Sequence, residues 1–282
     1  MSTKRVAAIH DLSGFGRCSL SIIMPTLSAM GVQCCPLLTA YLSTHTGGFT
    51  HNTFLDMTDQ MAPVTNHWHA EGVTFDAVYT GFMGSREQIS LTAHFLETFD
   101  SALAVVDPVM GDHGKPYRTY TPEMCAAMAQ LADHADVITP NRTEAAILLG
   151  VPYEQLCLDT PDECRGWARM LSDGGKRSVV LTGVSLEENA VGAVCFDRET
   201  GETSFIAAPR VNEQFHGTGD LFASVLTGAL VRGASLTEAA QAAADFVSRV
   251  AAHTAKQNLP KREGVDFEPL LWRLGQQWAE RE

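Results

Sequence analysis

The sequence predicts an α/β fold built on one mostly parallel sheet with an antiparallel hairpin at its edge. Three observations carry this expectation. Short apolar runs of strand length alternate with amphipathic stretches of helix length. Polar clusters follow the apolar runs rather than interrupting them, as expected where ligands sit beyond the carboxyl ends of parallel strands. One pair of runs, Val191–Phe196 and Thr203–Ala207, is joined only by the short polar segment between them, which favours a hairpin over a helical crossover.

Taken in order, Val6–Ile9 reads as a strand, followed by a loop and a helix over about Ser19–Met30 that stops near Gly31. Val32–Leu38 and Asp76–Thr80 are the next strands. Ser85-x-x-Gln88 has the form of a capping box and starts a helix. Leu103–Val106 is a fourth strand, ending at Asp107-Pro108. Thr121-Pro122-Glu123 starts a helix with a cap, a first-turn proline and an acid. Val137–Thr139 is a strand and Thr143–Leu149 a short helix. Thr160-Pro161-Asp162-Glu163 opens another helix, and Val179–Leu181 is a sixth strand. The last third is helical, with Leu221, Phe222, Val225, Leu226, Ala229 and Leu230 on one face and Ser235-x-x-Glu238 capping the next helix. No linker rich in Pro, Gly or Ser divides residues 1–282, so a single domain is expected.

Composition narrows the function classes. The 282 residues carry a formal net charge of −13 and contain no basic run, so neither nucleic acid nor an anionic membrane is an expected partner. An anionic ligand must then be held locally, by helix N-terminal amides or a cation. The seven cysteines are odd in number and show no C-x-x-C spacing, which favours reduced thiols over a zinc site or a disulfide scaffold. Met1–Arg5 leads into only four apolar residues before His10 and Asp11, too few for a signal peptide or a membrane span. A cytoplasmic protein is expected.

Five polar clusters stand out. The sharpest is His216-Gly217-Thr218-Gly219-Asp220, opening into an apolar-faced helix. Its glycines let backbone amides approach a ligand, and the helix start offers unpaired N–H groups and a positive dipole end. Asp220 can cap that helix or act as a base. No Gly-Lys-Ser/Thr follows, so this is not a P-loop, and the third glycine of a dinucleotide fingerprint is missing. The others are Asp107-Pro108-Val109-Met110-Gly111-Asp112, Thr139-Pro140-Asn141-Arg142-Thr143-Glu144, Asp11-Leu12-Ser13-Gly14-Phe15-Gly16 and Ser43-Thr44-His45-Thr46-Gly47-Gly48. Each alone reads as a turn, a cap or a loop. Five at strand ends argue for a site.

Gly-Thr-Gly-Asp opening a late helix, Asp-Pro-Val-Met-Gly-Asp, and Thr-Pro-Asn-x-x-Glu together resemble the ribokinase-like superfamily. Leu42-Ser43-Thr44-His45-Thr46-Gly47 is similar to a loop of the pyridoxal/pyridoxamine kinase branch, and the resemblance runs from about Val6 to Lys256. It implies a three-layer α/β/α sandwich and an ATP-dependent phosphotransferase acting on the 5′-hydroxymethyl group of a vitamin B6 vitamer, with Mg²⁺ and a monovalent cation (K⁺ or Na⁺), in a homodimer. It further implies that Asp220 is the base and that amides at Gly217, Thr218 and Gly219 stabilise the transferring phosphoryl. Asp11, His45, Thr46, Gly219 and Asp220 would face the substrate, with Phe82 as a stacking partner. Asp107, Asn141, Thr182, Gly183, Val211 and Thr218 would contact ATP, with Tyr117 in a covering loop, and Asp112, Thr139 and Glu144 would attend the cations.

The chain departs from that branch by carrying Asp11 where its members have Ser, and His10 where they have Gln. It also carries Asp220 and Asp112-His113-Gly114 where related hydroxymethylpyrimidine kinases often carry Cys, so a thiol adduct with an aldehyde is not expected. Hydroxymethylpyrimidine kinase on the same scaffold is the alternative activity, a sugar kinase a third, and a nonenzymatic vitamer-binding protein a fourth. An NAD-dependent oxidoreductase would need an early Gly-x-Gly-x-x-Gly, which Ser13-Gly14-Phe15-Gly16 does not match.

Overall fold

The computed structural model describes residues 2–279. β1 (Lys4–Ser13) leads into α1 (Leu20–Ala29), β2 (Val32–Leu42), β3 (Phe54–Asp56), α2 (Thr58–Ala70), β4 (Ala77–Thr80) and α3 (Arg86–Thr98). β5 (Leu103–Val106), the small pair β6 (Gly111–Asp112) and β7 (Lys115–Pro116), α4 (Pro122–Ala132), β8 (Val137–Ile138), α5 (Arg142–Leu149) and α6 (Pro161–Leu171) follow. β9 (Ser178–Val184), β10 (Ala190–Phe196), β11 (Thr203–Pro209), α7 (Thr218–Val231), α8 (Leu236–Thr254) and the single turn α9 (Leu271–Leu274) complete the chain.

Nine strands form one sheet in the order β11-β10-β9-β8-β5-β4-β1-β2-β3. β2, β1, β4, β5, β8 and β9 run parallel, while β10 and β11 form the expected antiparallel hairpin. β3 adds a second antiparallel edge, against β2. Helices cover both faces. On one, α1, α7 and α8 pack against Val6, Ala8, Tyr79 and Val105; on the other, α2 to α6 pack against Ala7, Ile9, Val78 and Val106. This is the three-layer α/β/α sandwich. Burial on both faces explains the uniformly apolar run Val6–Ile9, in which every residue is fully buried.

Most element boundaries lie within a few residues of the expected ones. β1, β2 and β9 extend further, because their polar ends are still paired in the sheet. The Ser85 box forms only by half. Ser85 accepts from the Gln88 amide, but the Gln88 side chain turns instead to Gly84, Thr39, Asp56 and Thr58. α2 and β3 are absent from the sequence expectation. α2 buries only Met61 and Thr65 and contains Pro63, so it lacks a continuous apolar stripe, and β3 is exposed along its whole length.

Candidate active site

Asp11 near the end of β1, Tyr79 near the end of β4 and Asp107 after β5 gather around Asp220 at the start of α7. Gly217 is the N-cap of α7, with φ 82°. Any side chain there would be both strained and in collision with Ile22 and the Arg17 carbonyl. Glycine lets the loop turn tightly into α7, whose first-turn amides have no partner within the helix. Nothing lies within 4 Å of where a Gly219 side chain would begin, so the chain leaves open space there. Thr218, the first residue of α7, donates its hydroxyl to the Phe215 carbonyl at 3.4 Å.

Asp220 sits in the first turn of α7 but does not cap it. Its Oδ2 accepts from the Ser19 amide at 2.9 Å and from the Cys18 thiol at 3.3 Å. Burial raises its pKa and those two donors lower it, with a net rise. Asp11, near the end of β1, is buried; it accepts from the Ser19 hydroxyl at 2.6 Å and the Ser13 hydroxyl at 3.4 Å. Burial pushes its pKa up to about 6, the Ser19 bond opposes this, and the charge of Asp220 adds to it. Beside it His10 is fully buried, edge-on to Tyr79, and held neutral with a pKa near 3 because burial disfavours the imidazolium. Neither of its ring nitrogens has a hydrogen-bond partner of normal geometry among the described residues.

The loop after β2 is held by His45. Its ring accepts from the Gly47 amide at Nδ1, 3.1 Å away, and its Nε2 lies 2.6 Å from the Arg262 carbonyl. A carbonyl only accepts, so Nε2 carries the proton and the imidazole is neutral; burial lowers its pKa as well. Both nitrogens are thus committed to the protein, and His45 shapes the loop instead of reading a ligand with them. Thr46, next in sequence, is exposed. Phe82 is half-buried, with its ring 6.3 Å from that of Tyr120 in an edge contact.

A brace from residues 261–268 underlies both loops. The Arg17 amide donates to the Glu263 carbonyl at 3.0 Å, and its guanidinium reaches Glu268 at 2.8 Å and Asp266 at 3.1 Å. The Val265 amide donates to the His216 carbonyl, and the Arg262 guanidinium lies 5.0 Å over the Phe49 ring.

At the other end of the site, β6 and β7 form a hairpin whose two-residue loop, His113-Gly114, has φ values of 51° and 76°, the signature of a primed turn. It presents Asp112 to solvent. α5 clasps this hairpin: the Asn141 side chain donates to the Gly111 carbonyl at 2.9 Å, and Thr143 Oγ1 accepts from the Gly114 amide at 2.9 Å. Asn141 and Glu144 form a full capping box. Glu144 is buried rather than solvated, and its second oxygen accepts from the Met110 amide at 3.2 Å. Burial and the charge of Asp107 hold it well above the usual carboxylate range. Asp107 is itself pushed up to about 7, by burial and then by Asp220. Tyr117 is partly exposed, its amide on the Met110 carbonyl. Thr182 donates through its amide and hydroxyl to the Pro140 carbonyl. Gly183, with φ 78°, faces open space, and Val211 lies half-buried two residues beyond β11.

Burial and a neighbouring carboxylate raise both, Asp107 beside Asp220 and Glu144 beside Asp107, a strain that a cation would relieve. Among the described residues no three His, Cys, Asp or Glu side chains are grouped to enclose a metal. Carboxylate oxygens of this kind fit a hard cation such as Mg²⁺, with water and phosphate completing its shell. Thr139 Oγ1, buried and without a hydrogen bond of normal geometry, suits a second cation or a water. Cys18 and Ser19 were missed from sequence. Both lie in a stretch that reads as an ordinary strand-to-helix turn, and only the fold brings them to Asp220.

Fold and site together define a ribokinase-like α/β/α protein with a carboxylate in the first turn of the helix that follows its Gly-Thr-Gly loop. Within that class the chain belongs to the phosphomethylpyrimidine kinase family, which matches residues 24–264. It is 28% identical to a pyridoxine kinase of Bacillus subtilis (strain 168), over 88% of this chain and 90% of the relative. It is 40% identical, with a TM-score of 0.90, to a crystal structure holding pyridoxal, of a Bacteroides thetaiotaomicron VPI-5482 protein described as a phosphomethylpyrimidine kinase; 97% of this chain and 96% of that one are covered. A pyridoxal kinase from Lactobacillus plantarum matches at 34% identity and a TM-score of 0.88, over 97% of each chain.

Proposed function

We propose that this protein is an ATP-dependent kinase that phosphorylates the 5′-hydroxymethyl group of a vitamin B6 vitamer: pyridoxal, pyridoxamine or pyridoxine. The observation that carries the reading is the seat of Asp220. A carboxylate with a raised pKa adjoins the open space at Gly219 and the free amides of α7. A primary alcohol lying there loses its proton to Asp220, while the amides at Gly217, Thr218 and Gly219 stabilise charge on the transferring phosphoryl. Mg²⁺, when bound, would neutralise the phosphates, with Glu144 and Asp112 ordering its water shell and Thr139 attending a monovalent cation. Asp107, Asn141, Thr182, Gly183 and Val211 line the nucleotide end, and Tyr117 covers it. Asp11, Thr46 and Phe82 face the pyridine ring.

Hydroxymethylpyrimidine is the second substrate to weigh, because the matching family is named for phosphomethylpyrimidine. Incubation with Mg·ATP and each alcohol in turn, with mass detection of the product, separates the readings. A phosphorylated B6 vitamer is expected. Phosphorylation of hydroxymethylpyrimidine alone, or of neither, overturns the proposal.

Residues 1–282 act as one catalytic unit in this reading, and the protein is a cytoplasmic homodimer. All seven cysteines are free, which suits a reducing compartment. No helix among the described residues is long and apolar enough to cross a membrane. The edge strand β3 exposes Phe54 and Leu55 beside Tyr41 of β2, at 49%, 58% and 42%. An apolar sheet edge of this kind invites a second copy. Sedimentation of the protein and of Leu55→Asp tests it, with a dimer converted to monomer expected.

A further inference from the structure

Ser19 breaks two local rules at once. It is a non-glycine residue with φ 51° and ψ −132°, a strained conformation. It occupies the N-cap of α1, where serine ordinarily bonds its own helix, yet makes no cap bond. Its hydroxyl goes instead to Asp11 at 2.6 Å, and its amide to Asp220 at 2.9 Å. Cys18 supplies a second donor, its thiol 3.3 Å from the same Asp220 oxygen. Backbone strain that persists needs surroundings that fix it. Here the Arg17 ion pairs with Asp266 and Glu268 fix one side, and the Cys18 amide bond to Ser21 Oγ fixes the other.

Both donors fall on Oδ2 of Asp220. Among the described residues none hydrogen-bonds Oδ1. We propose that Cys18 and Ser19 are positioning residues that form a two-carboxylate clamp: they fix Oδ2 of Asp220, leave Oδ1 as the oxygen that takes the substrate proton, and set Asp11 at a fixed place beside it. Cys18 is a donor in this arrangement and not a nucleophile. Burial and the adjacent carboxylates hold its thiol protonated.

The clamp rests on the kinase reading for its catalytic meaning, but its geometry can be tested without turnover. The carboxyl ¹³C signal of Asp220, assigned by its loss in Asp220→Asn, is titrated in the protein without substrate. The groups facing Asp220 are Asp11 on β1, Cys18, Tyr79 on β4, Asp107 after β5 and Tyr117. All remain in place in the variants except Cys18. Removing a donor to the carboxylate raises its pKa, so Cys18→Ala moves the Asp220 midpoint up by about half a unit or more, and Cys18→Ser, which keeps a donor, moves it back.

Kinetics then separate the two arms. Cys18→Ala lowers kcat more than it raises the vitamer KM. Ser19→Gly relieves the positive φ, keeps the amide on Asp220 and frees Asp11, so it raises KM more than it lowers kcat. Nucleotide affinity checks the fold in each variant. An Asp220 midpoint that is the same in the parent and both Cys18 variants overturns the clamp, as does the same kcat and KM split in Cys18→Ala and Ser19→Gly. A parent that phosphorylates no vitamer sinks the function reading and leaves the titration to judge the clamp.

Discussion

The two ends of the site hold their acids by opposite means. At the proposed substrate end, Asp220 is tied by the Cys18 thiol and the Ser19 amide, and Asp11 by the Ser19 and Ser13 hydroxyls. At the proposed nucleotide end, Glu144 is tied by the backbone, through its own capping box and the Met110 amide. Backbone donors cannot be mutated away, and they belong to the fold as much as to the site. The substrate end is therefore adjustable by substitution, while at the nucleotide end stability and chemistry are joined.

The largest effect tests the substrate end directly. Asp220→Asn should lower kcat by about 10²-fold or more while ATP affinity and folding persist, because Asn keeps the acceptor for Ser19 but cannot take a proton. A steady-state assay that finds near-parent kcat removes Asp220 from the chemistry.

Next is Asp11→Asn. If Asp11 accepts from a protonated pyridine nitrogen, the substitution weakens vitamer binding by about 1.5–3 kcal/mol and leaves ATP binding unchanged. An analogue with carbon in place of the ring nitrogen should lose affinity for the parent but lose nothing further with Asp11→Asn. Additive losses measured by calorimetry would show that Asp11 serves another contact, its Ser19 bond foremost.

Glu144→Gln probes the other end. One amide bond is kept and one lost, at a stability cost of about 1–3 kcal/mol, and the Mg²⁺ concentration for half-maximal rate should rise several-fold. A fall in melting temperature with unchanged Mg²⁺ dependence would make Glu144 a cap alone.

The smallest effect is on pH dependence. Asp11 has a folded pKa of about 6 against an ordinary 3.8, so the folded state binds its proton more tightly. Its contribution to stability is complete below pH 3.8 and is lost as pH rises through 6. Asp107, at about 7, acts in the same sense. His10, lowered from 6.5 to about 3, opposes both, since its contribution is complete above pH 6.5 and is lost as pH falls. Thermal melts of Asp11→Asn should therefore fall less between pH 4 and 6 than those of the parent. Parallel curves would mean that Asp11 ionises alike in the folded and unfolded chain.

The same contrast explains what could be read in the sequence. Parallel strands buried on both faces announce themselves as apolar runs, and Leu103–Val106 coincides with β5. Caps made within a few residues are equally plain, as at Thr121, Thr160 and Ser235. Glycines that open α7 are local too. Contacts that depend on tertiary placement were not visible: Cys18 beside Asp220 is 202 positions away in the chain. His45 looked like a ligand-reading residue because a loop histidine shows nothing of the carbonyl that will bind it. α2 escaped because a helix with so little buried surface has almost no periodicity to detect.

Arg17 and Glu268 are 251 positions apart. On a ribosome adding about 5–20 residues per second, roughly 13–50 s separate the synthesis of these two partners. Once Pro209 is made every sheet strand is present, while the loop before α1 still awaits Asp266 and Glu268, and His45 still awaits the Arg262 carbonyl. The nascent chain thus has a nearly complete scaffold around an unbraced site. Residues 261–268 are the last of the brace to be made, and with them the strained Ser19 loop acquires the contacts that hold it.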